Sequence, residues 1–334
     1  MLLFIVSYDS IKGFEMKQPP YKINSKILKS VSTISEKIGE IKAHYLNRPD
    51  PKLRKKNKVK TIHSSLKIEG NTLSEEQITD IIEDKRVLGK RRDILEVKNA
   101  IKVYDKLNTF KPLSVESFLS AHKIMMSGLF DNPGNFRKQG VGIFDGSEVT
   151  HLAPPAKNVN SLMKNLFNYL EQSDDLEIIK SCVFHYEVEF IHPFIDGNGR
   201  MGRLWQTIIL MKEYPVFEYI PFETLISETQ EDYYEALAES DEKGDSTSFI
   251  EYMLKVIEDS LDELLEYDNK TMTDVDRLKY FISLEKDEFS RKDYMKVFKN
   301  ISSSTASRDL RKGVKLNMLK KTGSKNKTTY KIIT

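Results

Sequence analysis

Apolar residues recur along most of this chain at the spacing of an α-helix. Between residues 25 and 47, Ile27, Leu28, Val31, Ile34, Ile38 and Ile41 follow a repeat close to 3.6, which predicts an amphipathic helix. Asn47-Arg-Pro-Asp-Pro51 ends it, because the residue before a proline disfavours the α region. A basic run from Lys52 to Lys60, read as a solvated helix face, leads into a second helix ending near Gly70. Ser74 with Gln77 makes a capping box for a third. Amphipathic helices follow over 93–107, 114–127, 157–172, 176–191, 199–214, 228–241 and 246–267. The period changes once, over 137–155. There Val141-Gly-Ile-Phe144, Asp145-Gly146 and Val149-Thr-His-Leu152 predict a small β-hairpin closed by Pro154-Pro155. With no internal repeat and no low-complexity segment, the expected fold class is mainly α with one small hairpin.

The C-terminal stretch reads differently. Phe289-Ser290-Arg-Lys-Asp293 resembles a capped helix start, a turn at Asn300-Ile-Ser302 leads to a short helix over 303–312, and Gly313 is expected to end it. Strand-like Met318-Leu319 and Thr328–Ile332 flank Gly323-Ser-Lys-Asn-Lys327. This order resembles a winged helix-turn-helix, with Thr305, Ser307, Arg308 and Arg311 on its second helix. Charge sharpens the contrast. The whole chain has a formal net charge of +2, but residues 291–334 hold 13 Lys and Arg against 2 Asp and Glu, leaving 39 against 48 for the rest. The tail is thus a basic module on a mildly acidic body, and DNA through 290–331 is one expectation. Protein docking or dimerisation is the other, and a homodimer is an expectation by analogy.

The single Cys182 excludes an internal disulfide framework and suits a reducing cytosol. No stretch of about 18 apolar residues occurs, so no membrane span is expected. The apolar start, Met1 to Val6, lacks a basic lead; residues 1–15 read either as a buried edge segment or as an over-extended start before Met16.

Candidate chemistry concentrates in His192-Pro-Phe-Ile-Asp-Gly-Asn-Gly-Arg-Met-Gly-Arg203. Pro193 moves His192 off α geometry and ends the preceding helix. Gly197 and Gly199 let the backbone bend and approach a ligand, and Leu204, Ile208 and Ile209 define a new helix starting near Gly199. A glycine loop feeding a helix N-terminus offers free N–H groups and a favourable dipole to an anion. Arg200 and Arg203 share a face and suit a polyphosphate, while Asp196 is placed to hold Mg2+ against phosphate oxygens. His192 can take a proton near neutral pH. Three other readings compete. Gly197 to Gly202 also fits a dinucleotide loop, which needs a preceding β-strand. His185, Glu189 and His192 could form a metal site, although His185 reads better as a core histidine. A plain polar turn seldom needs Asp, Asn, His and two Arg together.

The same stretch resembles the Fic motif, H-x-F-x-[DE]-G-N-G-R-x-x-R, with every specified position filled. Resemblance continues through Leu129-Phe-Asp-Asn-Pro-Gly-Asn-Phe-Arg137, the hairpin with Pro154-Pro155, Tyr233-Tyr-Glu-Ala-Leu237 and Phe249-Ile250, and covers roughly residues 25–255. It implies a helical bundle with a hairpin flap that transfers AMP from ATP to a Tyr, Thr or Ser hydroxyl of a protein, itself included. His192 would be the base, Phe194 the anchor of the loop and Asp196 the Mg2+ ligand. Gly197, Asn198 and Gly199 would form the anion hole, with Arg200 at the β-phosphate, Arg203 at the γ-phosphate, and Tyr233 and Tyr234 also binding ATP. Val141, Gly142, Ile143 and Phe144 would be the flap that pins the target. It further implies three parts: an N-terminal helical region over 1–90, the catalytic domain over 91–268 and the winged helix over 269–334.

Ser65-Leu-Lys-Ile-Glu69-Gly70-Asn71 resembles the family's inhibitory motif, [ST]-x-x-x-E-[GN]. Gly70 looks like a left-handed helix end, which leaves Glu69 against the negative end of the dipole unless a cation compensates. The resemblance implies that Glu69 pairs with Arg203 in the place of the γ-phosphate. A solvated glutamate is the plain alternative. Two further readings of the whole chain stand beside AMP transfer. One is a DNA-binding regulator using the Fic body as a nucleotide sensor; the other is a kinase or phosphocholine transferase of the same fold.

Overall fold

The computed structural model describes residues 18–44, 51–145, 148–271, 273–284, 288–298, 301–323 and 328–333. Residues 1–15, the segment 45–50, residues 146–147 of the expected hairpin and residues 324–327 lie outside the described residues. Contacts group the chain into two compact units, the first within Met1–Val31 and Asp50–Ile257, the second within Ser32–Pro49 and Glu258–Thr334. No helix of the described residues is long and apolar enough to cross a membrane.

The elements in order are α1 (Ser25–His44), α2 (Pro51–Ile68), α3 (Glu75–Ile82), α4 (Arg91–Tyr104), α5 (Val115–Met125), the hairpin β1 (Gly142–Asp145) and β2 (Glu148–Leu152), α6 (Ala156–Gln172), α7 (Glu177–Ile191), α8 (Asn198–Glu213), α9 (Glu223–Glu228), α10 (Gln230–Lys243) and α11 (Thr247–Thr271). They continue with α12 (Asp274–Ser283), β3 (Glu288–Ser290), α13 (Arg291–Val297), α14 (Ser303–Lys315), β4 (Leu319–Thr322) and β5 (Thr329–Ile332). The chain is mainly α, as its periodicity predicts. The basic run belongs to α2 itself, because Leu53, Asn57 and Val59 turn inward between its lysines. Ser74 closes the expected capping box with Gln77. Sequence periodicity missed α9, a helix of 6 residues too short to show a repeat.

In the first unit α7 is buried on nearly every face, so it is the central helix, and it packs along α8. Around this pair Phe118 of α5 gathers Phe167, Phe184, Phe194 and Trp205, with ring centroids 5.0–5.9 Å away. The α7–α8 loop is thus rooted in the core. α2 lies against α9. The hairpin pairs Gly142 with Leu152 and Asp145 with Glu148, with an irregularity between Ile143 and Phe144.

In the second unit the three-stranded antiparallel sheet has the order β3-β5-β4. Its core joins Leu278 and Phe281 of α12, Tyr294 of α13, Ala306 and Leu310 of α14, and Leu319 and Tyr330 of the sheet. One expectation needs correction. Gly313 does not end α14, which runs to Lys315. A Cβ there would stand 2.8 Å from Leu319 Cδ1 and 3.0 Å from Leu278 Cδ2, so packing rather than capping requires the glycine. The residues read as a helix start at Phe289 close β3 first, pairing with Tyr330 before Ser290 caps α13.

Candidate active site

The loop from His192 to Gly197 is set by its two ends. His192 is the residue that caps α7, in the left-handed region at φ +50° and ψ 59°. A non-glycine residue persists there only when its surroundings fix it. Arg137 supplies the fixing. It is buried, and its Nε donates to the carbonyl of His192 at 2.7 Å, its Nη2 to those of Ile191 at 3.1 Å and Pro154 at 2.5 Å, and its Nη1 to that of Gln139 at 2.8 Å. Its own N–H bonds the carbonyl of Pro193 at 2.9 Å. A cation thus satisfies the carbonyl end of α7, where the dipole favours it, and ties that end to the base of the hairpin. Burial lowers its pKa without removing its charge at neutral pH.

Gly197 opens α8 at φ +89°, and its Cβ position would lie 2.8 Å from Met126 Sδ, so it needs glycine on both counts. Inside the loop Phe194 is fully buried and stacks on His122 at 3.6 Å and 4°. His122 accepts the N–H of Gly134 at Nδ1, 2.8 Å, which leaves Nε2–H to donate to the carbonyl of Asp196 at 3.0 Å. Burial pushes His122 down to about 4, so the ring is neutral and this polarity is stable. The Asn198 side chain turns inward, accepting the Phe194 N–H at 2.8 Å and donating to the Phe194 carbonyl at 3.0 Å. Its amide clasps the loop, so only its backbone N–H is left for the expected anion hole.

No side chain caps α8, in contrast to α3, α12 and α13, whose capping residues accept from the first turn. Its leading N–H groups are therefore available to an anion. Two guanidiniums flank them. Arg200 is 3 % exposed and its Nη2 donates to Asp196 Oδ1 at 2.7 Å. Arg92 of α4 holds the other oxygen, Oδ2, at 3.0 Å. Arg203 is wholly buried and its Nη2 bonds Glu69 Oε1 at 2.7 Å and the Ser65 carbonyl at 3.0 Å, while Nε reaches Ser65 Oγ at 3.3 Å. Burial works against the Arg203 charge, yet Glu69 heads the interactions that hold its pKa above the ordinary value. A Cβ on Gly199 would fall 2.6 Å from Glu69 Oε1, 3.0 Å from Arg203 Nη1 and 3.1 Å from Glu189 Oε1. Only glycine lets both carboxylates approach the first turn of α8.

Glu69 is placed by the end of α2. Asn71 N–H bonds the Leu66 carbonyl at 3.0 Å and Gly70 N–H that of Lys67 at 2.9 Å, with Gly70 at φ +85°. This is a Schellman ending, and Glu69 is its cap residue. Gln230 donates to the Ile68 carbonyl at 3.1 Å and Asn71 to Glu96 at 2.8 Å, which pins the turn.

Of the remaining expected residues, Tyr233 is buried behind Arg203, its hydroxyl donating to Glu189 at 2.9 Å, whereas Tyr234 is 49 % exposed. His185 lies in the core between Gln206 at 2.7 Å and the Tyr233 hydroxyl at 3.1 Å, and burial pushes it down to about 3. The stretch before Gly197 is the helix α7, not the strand that a dinucleotide loop needs. The hairpin carries Gly142, Ile143 and Phe144 on β1, and Val141 just precedes it. Sequence reasoning missed Arg92 and His122 as neighbours of the loop, weighed Glu189 only as a metal ligand, and gave Arg137 no role. Arg137 stood inside a quoted motif; Arg92 and His122 gave no local signal.

As a metal site the donor set is sparse. No group of three or more His, Cys, Asp or Glu is arranged to hold an ion among the described residues. Asp196 is a single, partly exposed carboxylate beside the anion position, which fits a Mg2+ whose other ligands are phosphate oxygens and water.

The family profile described as "Fic/DOC family" matches residues 112–210. A crystal structure of a Fic family protein from Desulfovibrio desulfuricans G20 is 39% identical, covers 95% of this chain and 98% of that one, and superposes with a TM-score of 0.73. Fic-1 from C. elegans, residues 134–508, is 22% identical over 74% of each chain, with a TM-score of 0.62, and so shares the fold. Among curated relatives, the protein adenylyltransferase Fic of Nematostella vectensis is 27% identical over 69% of this chain and 55% of its own length. That of Drosophila mojavensis is 26% identical over 70% and 46%. The chain spans about half the length of the curated relatives it matches.

Proposed function

From the premise that this chain belongs to the Fic family, we propose that it transfers AMP from ATP to a Tyr, Thr or Ser hydroxyl of a protein, its own included, and that Glu69 restrains it. The observation that carries this reading is the convergence of a left-handed His192, an uncapped α8 and two buried arginines on one short loop. The triphosphate would lie on the free N–H groups of Asn198, Gly199 and Arg200, with Arg200 and Arg203 balancing its charge. The target hydroxyl oxygen forms a bond to the α-phosphorus as the bond from that phosphorus to the bridging oxygen breaks. His192 takes the hydroxyl proton, and pyrophosphate leaves. Asp196, released from Arg92 or Arg200, would hold the Mg2+ that accompanies the nucleotide and offsets phosphate charge. The hairpin has an open strand edge on which an extended target segment can pair through its backbone. The chain's single cysteine, Cys182, fits a reducing compartment such as the cytosol.

The brake follows from the same contacts. Glu69 uses the guanidinium edge of Arg203 that a terminal phosphate would need, so ATP binding must first break a charge-assisted bond. Such a bond is worth about 1.5–3 kcal/mol, so Glu69→Gly should raise AMP incorporation by roughly 10- to 100-fold. His192→Ala in that background should lower it by about 10²- to 10⁴-fold. Incubation with α-labelled ATP and Mg2+, followed by mass spectrometry of the product, reads both. A mass gain of phosphate alone or phosphocholine would replace the AMP reading, and equal labelling with and without Glu69 would remove the brake.

A further inference from the structure

We propose that α12 to β5 of the second unit form a winged helix-turn-helix that grips duplex DNA through the outward face of α14. The face is defined by burial. Ala306, Asp309, Leu310 and Gly313 point into the core, while Ser304, Arg308, Arg311 and Lys315 are exposed at the spacing of one helical stripe. Every member of that stripe is polar and three of its four are cations. It lacks the aromatic or aliphatic anchor on which protein–protein interfaces centre.

The cations are uncommitted as well as exposed. Among the described residues Arg308, Lys315, Lys320 and Lys321 make no ion pair, and Arg311 donates only Nε to the Ser307 carbonyl at 3.3 Å. The other lysine of the helix, Lys312, is spent internally on Asp274 at 2.6 Å. Lys320 and Lys321 are exposed on β4, directly after α14, and Arg291 reaches Ser307 Oγ at 3.0 Å from the start of α13. Exposed guanidiniums and ammoniums without an acidic partner complement a duplex, which carries one negative charge per about 1.7 Å of axis. Arginines on an exposed helix face can also form paired bonds to guanine edges in the major groove.

The helix is held rigidly enough to present that face. Arg277 of α12 forms two bonds to Asp309, at 2.6 and 3.0 Å, and Tyr294 of α13 donates to the same carboxylate at 3.2 Å. Both preceding helices therefore fix the rotation of α14 about its axis. Ser302 caps its start by accepting from Thr305 N–H.

The test uses the full chain and fluorescence anisotropy with labelled mixed-sequence duplexes of about 30 bp at about 50 and about 200 mM KCl. Wild type should bind at low salt and weaken at least tenfold at high salt. The triple variant R308A/R311A/K315A should bind at least tenfold more weakly, with a salt slope reduced by about 2–3, near 0.9 per lost phosphate contact. Its thermal unfolding should match wild type, because all three side chains are exposed. A second variant, K52A/K55A/K56A on α2, should bind like wild type. Absence of salt-dependent binding, a triple variant that binds as tightly as its parent, or loss of binding in the α2 variant would each overturn the proposal. So would polyglutamate competing as well as duplex at equal charge, which would point to an acidic protein.

Discussion

Arg137 shows how one side chain can govern a loop it does not belong to. Four carbonyl oxygens converge on its guanidinium, three of them from His192, Ile191 and Pro154, which otherwise face one another across the end of α7. Removing the donor leaves buried acceptors unsatisfied, at about 1–3 kcal/mol each before water or relaxation recovers part of it. Arg137→Ala should therefore cost about 3 kcal/mol or more in urea unfolding, and Arg137→Lys less, since a single ammonium keeps the charge but cannot span the fork. In the Glu69→Gly background the lysine variant should lose AMP transfer far more than ATP binding, because the displaced groups are His192 and the hairpin base rather than the anion site. Isothermal titration with ATP beside a labelling assay separates the two; equal losses would place Arg137 in general folding only.

At the scale of elements, the proposed brake depends on how α2 ends. Gly70 has φ +85° and an added Cβ would meet nothing within 4 Å, so Gly70→Ala tests backbone strain without a clash. A left-handed alanine costs about 1 kcal/mol, which should loosen the turn holding Glu69 and raise AMP incorporation up to about fivefold, short of Glu69→Gly. Unchanged labelling would mean that the packing of α2 on α9 alone sets the position of Glu69. This turn was legible in the sequence, as were the loop from 192 to 197 and the start of α8, because their signals lie within a few residues: a glycine after the last apolar position, a proline after a histidine, two arginines three apart. The amphipathic helices were legible for the same reason. What escaped was long-range. His122 acquires its role from the Asp196 carbonyl 74 positions away and Arg92 from the Asp196 carboxylate 104 away. β3 is only 3 residues long and exists through its pairing with β5. Gly313 was misread because a glycine near a helix end usually caps it, whereas here Leu278 and Leu319 press on the middle of the last turns.

Across the first unit as a whole, buried ionisable groups pull stability in opposite directions with pH. Burial, and then Arg203, pushes His185 from 6.5 down to about 3, and burial pushes His122 from 6.5 down to about 4. Their contribution is complete above about pH 6.5 and is lost as pH falls towards those lower values, because the unfolded chain takes up the protons first. Burial also raises Glu187 from 4.5 to about 8, with Asp241 adding to it, and Glu223 from 4.5 to about 7. For these two the sign reverses: their contribution is complete below about pH 4.5 and is lost as pH rises through 7 to 8, because the unfolded chain releases the protons first. The two pairs offset each other between about pH 4.5 and 6.5, so the unfolding temperature should vary least there and decline on either side. The alkaline decline belongs to the carboxyls. Glu187→Gln keeps the volume and removes the ionisation, so it should leave stability at pH 5 within about 1 kcal/mol of wild type and raise it at pH 8.5 by about 4 kcal/mol. Urea unfolding at the two pH values decides this, and a variant that declines above pH 7 as steeply as its parent would show that Glu187 is ionised in the folded protein.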